Sequence, residues 1–116
     1  MADPIDLPSF IPMKDRGKIS TMIVKGQSFD AGKNLHGREY NNDSEIDYMV
    51  FSYSTAIAWH VPAQRKRVWD AEIDHFVMRD IPDHWVVPNV EGFSATVQHH
   101  SQIVRDALVL AVVRDQ

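Results

Sequence analysis

The fold the sequence predicts is α+β: a small, mainly antiparallel sheet of about four strands packed against one C-terminal helix. Three observations predict it. Ile46 to Val61 alternates with a period of two and contains no Gly, Pro, Lys or Arg, the pattern of strands lying on a core. Shorter β-branched or alternating runs flank it, separated by Gly, Pro and Asn breaks. Near the end of the chain, Val97, His100, Val104, Leu108 and Ala111 recur at the spacing of one helix face.

The totals bound the possibilities. A chain of 116 residues fits one domain, and 44% hydrophobic with 24% charged residues is an ordinary globular balance. The absence of cysteine excludes disulfides, thiolate metal sites and a cysteine nucleophile, and fits a reducing cytoplasm. A formal charge of −4 weighs against general nucleic-acid binding, which needs a basic face. No apolar run approaches the ~20 residues of a membrane helix. The start, Met-Ala-Asp-Pro-Ile-Asp-Leu-Pro, is unlike a secretory signal peptide, so the expected address is the cytoplasm.

Residues 1–17 carry Pro4, Pro8 and Pro12 and read as an extended arm ahead of a domain spanning 18–116. Lys18 to Lys25 is β-branched, bounded by Gly17 and Gly26, and reads as the first strand. Gln27 to Glu45 is polar with scattered Gly and Asn, the composition of a long loop. Within Ile46–Val61 the alternation weakens at Ser54-Thr55, which implies two strand segments around a bend, ended by Pro62. Ala63 to Arg67 forms a loop holding the one dense basic cluster. Val68 to Ile81 fits a helical stripe (Trp69, Ile73, Phe76, Val77) and an alternation (Trp69, Ala71, Ile73, Val77, Ile81), and the strand reading is taken. Pro82-Asp83 turns the chain and Trp85 to Val87 gives a short strand. Thr96 is placed as N-cap of the last helix, with Arg105 and Arg114 toward its C-terminal half, where cations suit the macrodipole.

The chemistry-bearing residues form no known motif. His36, His60, His75, His84, His99 and His100 are scattered, without a His-Glu-x-x-His pair. A cluster of His75, His84 and Asp83, or of His60 with Ser54, is what an enzyme would require. Surface or hydrogen-bonded histidines are the favoured reading. Asp70, Glu72, Asp74 and Asp80 alternate with apolar residues as a solvated face does. No Gly-rich nucleotide loop and no serine elbow occurs. Arg65-Lys66-Arg67 beside Trp59 and Trp69 is the nucleic-acid candidate, cations for phosphate next to aromatics for stacking, weighed against a merely solvated turn.

Ser52-Tyr53-Ser54-Thr55-Ala56-Ile57-Ala58, followed by Phe93-Ser94-Ala95-Thr96, His100 and Val104-Arg105, resembles a group of small uncharacterised proteins of bacteriophages, especially those of actinobacteria. Their pattern is Ser-Tyr-x-Thr-x-Ile-Ala, then Tyr-Ser-x-Thr-Thr-Ser-Lys/Arg-His-Gln, then Val-Arg. Val97-Gln98 and Ser101 depart from it, and Pro62 to Val90 is longer than is usual in the group. The resemblance implies phage origin and a compact α+β unit, and brings no activity with it. Physically the matched residues read as fold determinants: Tyr53 in a buried strand, Ile57 in a buried hairpin, Thr96 as a cap, and His100 as a buried link to Ser52 or Ser54.

The function expected is that of a non-enzymatic phage accessory protein, without cofactor or metal, that binds a host or phage protein in the host cytoplasm. Its contact surface would be the exposed apolar groups of the N-terminal arm and of 62–90. The alternatives are nucleic-acid binding through Arg65, Lys66 and Arg67, or a structural part of the virion.

Overall fold

The structure, a computed structural model, describes residues 9–40 and 45–114, with side chains through residue 109. Two helices cover one face of a six-stranded sheet, and a separate two-stranded ribbon projects from it. The elements are β1 (Ser9–Ile11), α1 (Arg16–Lys25), β2 (Phe29–Ala31), β3 (Leu35–Glu39), β4 (Tyr48–Ser52), β5 (Thr55–Val61), β6 (Gln64–Asp70), β7 (His75–Ile81), β8 (His84–Val86) and α2 (Ala95–Arg114). The large sheet runs β1-β2-β3-β4-β5-β8 and is antiparallel except where β1 lies parallel to β2. The α+β class with a C-terminal helix is therefore present. The sheet is larger than the four strands expected, and a second helix accompanies it.

That second helix replaces the expected strand at Lys18–Lys25. Ile19 and Ile23, four apart, are fully buried on one face. Asp15 accepts from the Lys18 amide at 3.2 Å as N-cap, and Gly26 closes the helix in the left-handed conformation at φ 66°. Caps on either side of a ten-residue span and an i,i+4 apolar pair outweigh the β propensity of Ile, Thr and Val, a weak and context-dependent quantity. The helix is also what lets β1 and β2 run parallel, since parallel neighbours need a crossover between them.

The expected loop at Gln27–Glu45 contains the β2–β3 hairpin, turned at Gly32 (φ 58°). Phe29, Ala31, Leu35 and Gly37 point into the core, while Asp30, His36 and Arg38 are half-buried on the other side. Gly37 is required there: a Cβ would run into the Tyr48 hydroxyl and the Phe29 ring. Residues 41–44 of the expected loop, and 1–8 of the expected arm, lie outside the described residues. The arm's end is strand β1, with Ile11 fully buried.

Ile46–Val61 forms two strands, β4 and β5, as the weakened alternation implies. The turn is Tyr53-Ser54, with Tyr53 at φ 58° and half exposed, so Tyr53 is not the buried strand residue expected of it. A bulge lies opposite: Val50 pairs with Ala58 but Phe51 pairs with Ala56, leaving Ile57 as the extra residue. The bulge breaks the period of two, so the consecutive Ile57 and Ala58 are both fully buried. With Tyr48, Val50 and Ser52 they seat α2, which contributes Val97, Ile103, Val104 and Ala107 to the core. The large side chains Met49, Phe51 and Trp59 stay partly exposed.

Helix α2 starts one residue before Thr96. Ser94 is the residue that accepts from a first-turn amide, that of Val97 at 3.3 Å, and Thr96 is exposed within the first turn. The expected N-cap is corrected by two positions.

Overpacking at Gly37 gives the first test. Gly37→Ala is expected to lower stability by about 1–3 kcal/mol, read as a lower urea midpoint at unchanged slope. An unchanged midpoint would mean the rings do not pack on that backbone.

Candidate interaction surface

The segment between β5 and β8 is one hairpin, β6–β7, and it continues the β5–β8 pairing without a change of register. Val61 pairs with His84 and Gln64 pairs with Ile81. The intervening count sets Pro62 opposite Asp83 and Ala63 opposite Pro82. Proline lacks an N–H, and since bonded and non-bonded rungs alternate, one of these two prolines on adjacent rungs removes a ladder bond; the break divides the long ribbon into an inner part, within the main sheet, and an outer arm. Seven-residue strands make the arm about 23 Å long.

Its two faces differ. Arg65, Arg67 and Trp69 on β6 share a face with Phe76, Met78 and Asp80 on β7, by register and by contact. Trp69 and Phe76 meet edge to face with centroids 5.1 Å apart, and the Arg67 guanidinium lies 4.3 Å over the Phe76 ring. Trp69 is 50% exposed, and Phe76 and Met78 53% each. The reverse face carries Val68 and Val77, which are only partly exposed, with Lys66, Asp70, His75 and Arg79. Arg65-Lys66-Arg67 thus sits in a strand rather than the expected loop, and alternation sends Lys66 to the face opposite the two arginines.

At the root of the arm, His60 on β5 lies between two carboxylates. Nδ1 is 2.7 Å from Asp47 Oδ1 and Nε2 is 3.1 Å from Asp83 Oδ2. The ring packs on Trp85 of β8, centroids 5.3 Å apart. Asp83 directly follows Pro82, so this pair of bonds fixes the chain where the ladder is interrupted. His60 is therefore engaged with Asp47 and Asp83, not with Ser54. His84 Nδ1 bonds the Pro82 carbonyl at 3.0 Å, and His75 lies near the arm's tip, some nine residues away on the same strand system. The His75–His84–Asp83 grouping does not assemble.

His100 and Ser52 do come together. Ser52 Oγ and His100 Nδ1 are 2.7 Å apart, both residues almost fully buried, joining β4 to α2. Burial first, then the neighbouring His99 and His36, push the His100 imidazole below its ordinary value of 6.5. This is a structural link between sheet and helix. Two further polar features belong to the fold. Burial alone would raise the Asp30 carboxyl, but bonds from Arg38 and His36, each 2.6 Å, hold it below its usual value. Burial pushes the Tyr48 hydroxyl well up, and it donates to the Gln27 carbonyl at 2.9 Å. A shallow cleft of about 240 Å³ lies between the 89–91 turn and α2, lined by Glu91, Gln98 and Arg105, with the buried Ser101 hydroxyl at its wall. Among the described residues, no three His, Asp or Glu are grouped as a metal ion would need, and no helix is long and apolar enough to cross a membrane.

The arm is the feature that sequence reasoning located only in outline. Its signal was legible in Pro62 and Pro82 at the two ends of an alternating run. What hid it was the placing of Arg65-Lys66-Arg67 in a loop, which concealed the first strand. No protein-family model, no curated protein and no solved structure matches the chain.

The buried link sets a pH dependence. A depressed histidine adds stability that is fully present above the unfolded-state value of about 6.5. It begins to fade as pH falls through that value and is lost once pH passes below the folded-state value. Ser52→Ala should cost about 1–3 kcal/mol by leaving the imidazole unpaired. His100→Gln should flatten the fall in stability below pH 6.5 seen by urea titration at several pH values. An acid limb of the same slope in His100→Gln would assign the effect to other groups.

Proposed function

We propose that this chain is a non-enzymatic binding protein, a phage accessory protein in keeping with its resemblance, that engages a host or phage protein through the β6–β7 arm. The observation that carries this reading is the arm's exposed face: Trp69, Phe76 and Met78 stand together, about half open to solvent. An isolated two-stranded hairpin is marginal in water. Aromatic side chains grouped on one exposed face are the composition of interface anchors. The arm is joined to the domain through two proline-bearing segments, which present it clear of the helices.

One observation favours a second reading. Arg65 and Arg67 share the aromatic face, so cations and stacking surfaces adjoin, as single-stranded nucleic acid would need. Charge places it second. Residues 64–81 carry as many carboxylates as cations, and the whole chain is net negative, whereas phosphate binding draws on a surplus of cations.

Both readings meet one experiment. The tagged chain and its Trp69→Ser, Phe76→Ser, Met78→Ser variant are used as bait in lysates of infected and uninfected bacterial cells. A partner recovered by the parent chain and reduced about tenfold or more with the variant is expected, its far-ultraviolet circular dichroism being otherwise unchanged. Equal recovery by both, or nothing above background, would contradict the proposal. Low-salt affinity for DNA or RNA that vanishes in Arg65→Ala, Lys66→Ala, Arg67→Ala would transfer the arm to the second reading.

A further inference from the structure

The charge pattern along the arm matches itself when reversed. We infer that two copies of this chain associate through their β6–β7 arms, face to face and antiparallel about a two-fold axis. The Trp69–Phe76 pairs meet at the axis, and the acidic tip of each arm lies against the basic base of the other. The inference rests on the reading of the arm as a protein-binding surface and names its occupant.

The first argument is the segregation of charge. Residues 64–81 hold four cations, Arg65, Lys66, Arg67 and Arg79, and four carboxylates, Asp70, Glu72, Asp74 and Asp80. All four cations lie in the half nearer the domain, and three of the four carboxylates lie at the tip. Within the arm, Arg79 reaches Asp70 at 3.2 Å and Arg65 reaches Asp80 at 3.8 Å. Among the described residues, Lys66 and Arg67 at the base and Glu72 and Asp74 at the tip have no ion partner. The arm thus keeps two unspent charges of one sign at each end.

The second argument is spacing. Taking the Trp69–Phe76 rung as origin, the Arg67–Met78 rung is two rungs toward the domain and Lys66–Arg79 is three. In the other direction, Asp74 lies two rungs out and Glu72 three, by the same count. A two-fold axis through the origin therefore sets Asp74 of one copy at the level of the other copy's Arg67 on the aromatic face; Lys66 and Arg79 match Glu72 in level but lie on the reverse face, and add to the attracting field rather than to the contact. A parallel arrangement would stack like charges, which is repulsive. A two-fold interface must be self-complementary in this sense.

The third argument is area. Trp69, Phe76 and Met78 are each 50–53% exposed, so burying them removes roughly 100 Å² apiece, given 150–250 Å² for a whole large side chain. Two arms then bury roughly 600 Å² of apolar surface, and the stems of Arg65 and Arg67 from both copies bring the total toward the ~1,000 Å² floor of a specific interface. The association is accordingly a weak, reversible one that depends on charge matching.

Sedimentation of the full-length chain over roughly 10 μM to 1 mM tests it, a range suited to micromolar-to-millimolar affinity. The parent chain should show a monomer–dimer equilibrium that weakens with added salt. A tip-reversed variant (Glu72→Lys, Asp74→Lys) has an arm with a surplus of cations at both ends, and a base-reversed variant (Arg65→Glu, Arg67→Glu) has one with a surplus of carboxylates. Each alone should dimerise at least about tenfold more weakly, and an equimolar mixture should recover a heterodimer as tight as the parent or tighter. That recovery also shows that both variants remain folded. A parent chain monomeric throughout, or a dimer indifferent to both reversals, overturns the inference. If the triple-serine variant still loses its captured partner in either event, the arm's role stands and only its occupant is wrong; if it does not, both fall.

Discussion

Pro62 and Pro82 are the constraint on which the rest of this structure turns. They lie on adjacent rungs, one of which is a hydrogen-bonded pair, so together they remove a ladder hydrogen bond from what is otherwise a single antiparallel ribbon in one register. On the inner side, β5 and β8 belong to the main sheet, and Ile57 and Ala58 are buried beneath α2. On the outer side, β6 and β7 pair only with each other. Two prolines thus convert a continuous sheet into a core plus an arm, and the His60 bridge between Asp47 and Asp83 holds the junction.

The two parts are stabilised by different physics. The core is ordinary: fully buried Ile11, Ile19, Ile23, Phe29, Leu35, Val50 and Ile57 fill the space between one sheet face and two helices, and hydrophobic burial carries it. One buried polar link, Ser52 to His100, fixes α2 on β4. In the arm, by contrast, stability comes from cross-strand pairs, Trp69 with Phe76 and the Arg67 cation on the Phe76 ring, each contributing about 0.5–1.5 kcal/mol. Such an element persists as an appendage of a stable core, and gains most from whatever covers its aromatic face.

The sequence disclosed these parts unequally. The β4–β5 hairpin and α2 were legible because their periodicities are long and clean, and a link from His100 to Ser52 or Ser54 was legible in a histidine on the apolar stripe of a helix facing a strand of small residues; the structure selects Ser52. Helix α1 was misread as a strand because Ile, Thr and Val spoke louder than Asp15 and Gly26, the caps that decide it. The β2–β3 hairpin was hidden by shortness: Phe29–Ala31 and Leu35–Glu39 are too brief for alternation to stand out, and Gly37 reads as a loop residue until the rings above it are known. Tyr53 was misplaced because a turn with positive φ on tyrosine has no sequence mark, and the bulge at Ile57 is equally silent. For the arm, Pro62 and Pro82 marked the joints. The sharing of one face by Arg65, Arg67, Trp69, Phe76 and Met78 emerges only from the strand register.

Hydrogen exchange resolved along the ribbon tests the division most directly. At low protein concentration, amides of β5 and β8 that bond within the main sheet should exchange only through global unfolding. Those linking β6 to β7 should exchange by local opening, at least about a hundredfold faster, with the change falling at Pro62 and Pro82. Protection of equal strength on both sides of the prolines would contradict the account, because the arm would then be part of the core rather than a surface held out from it.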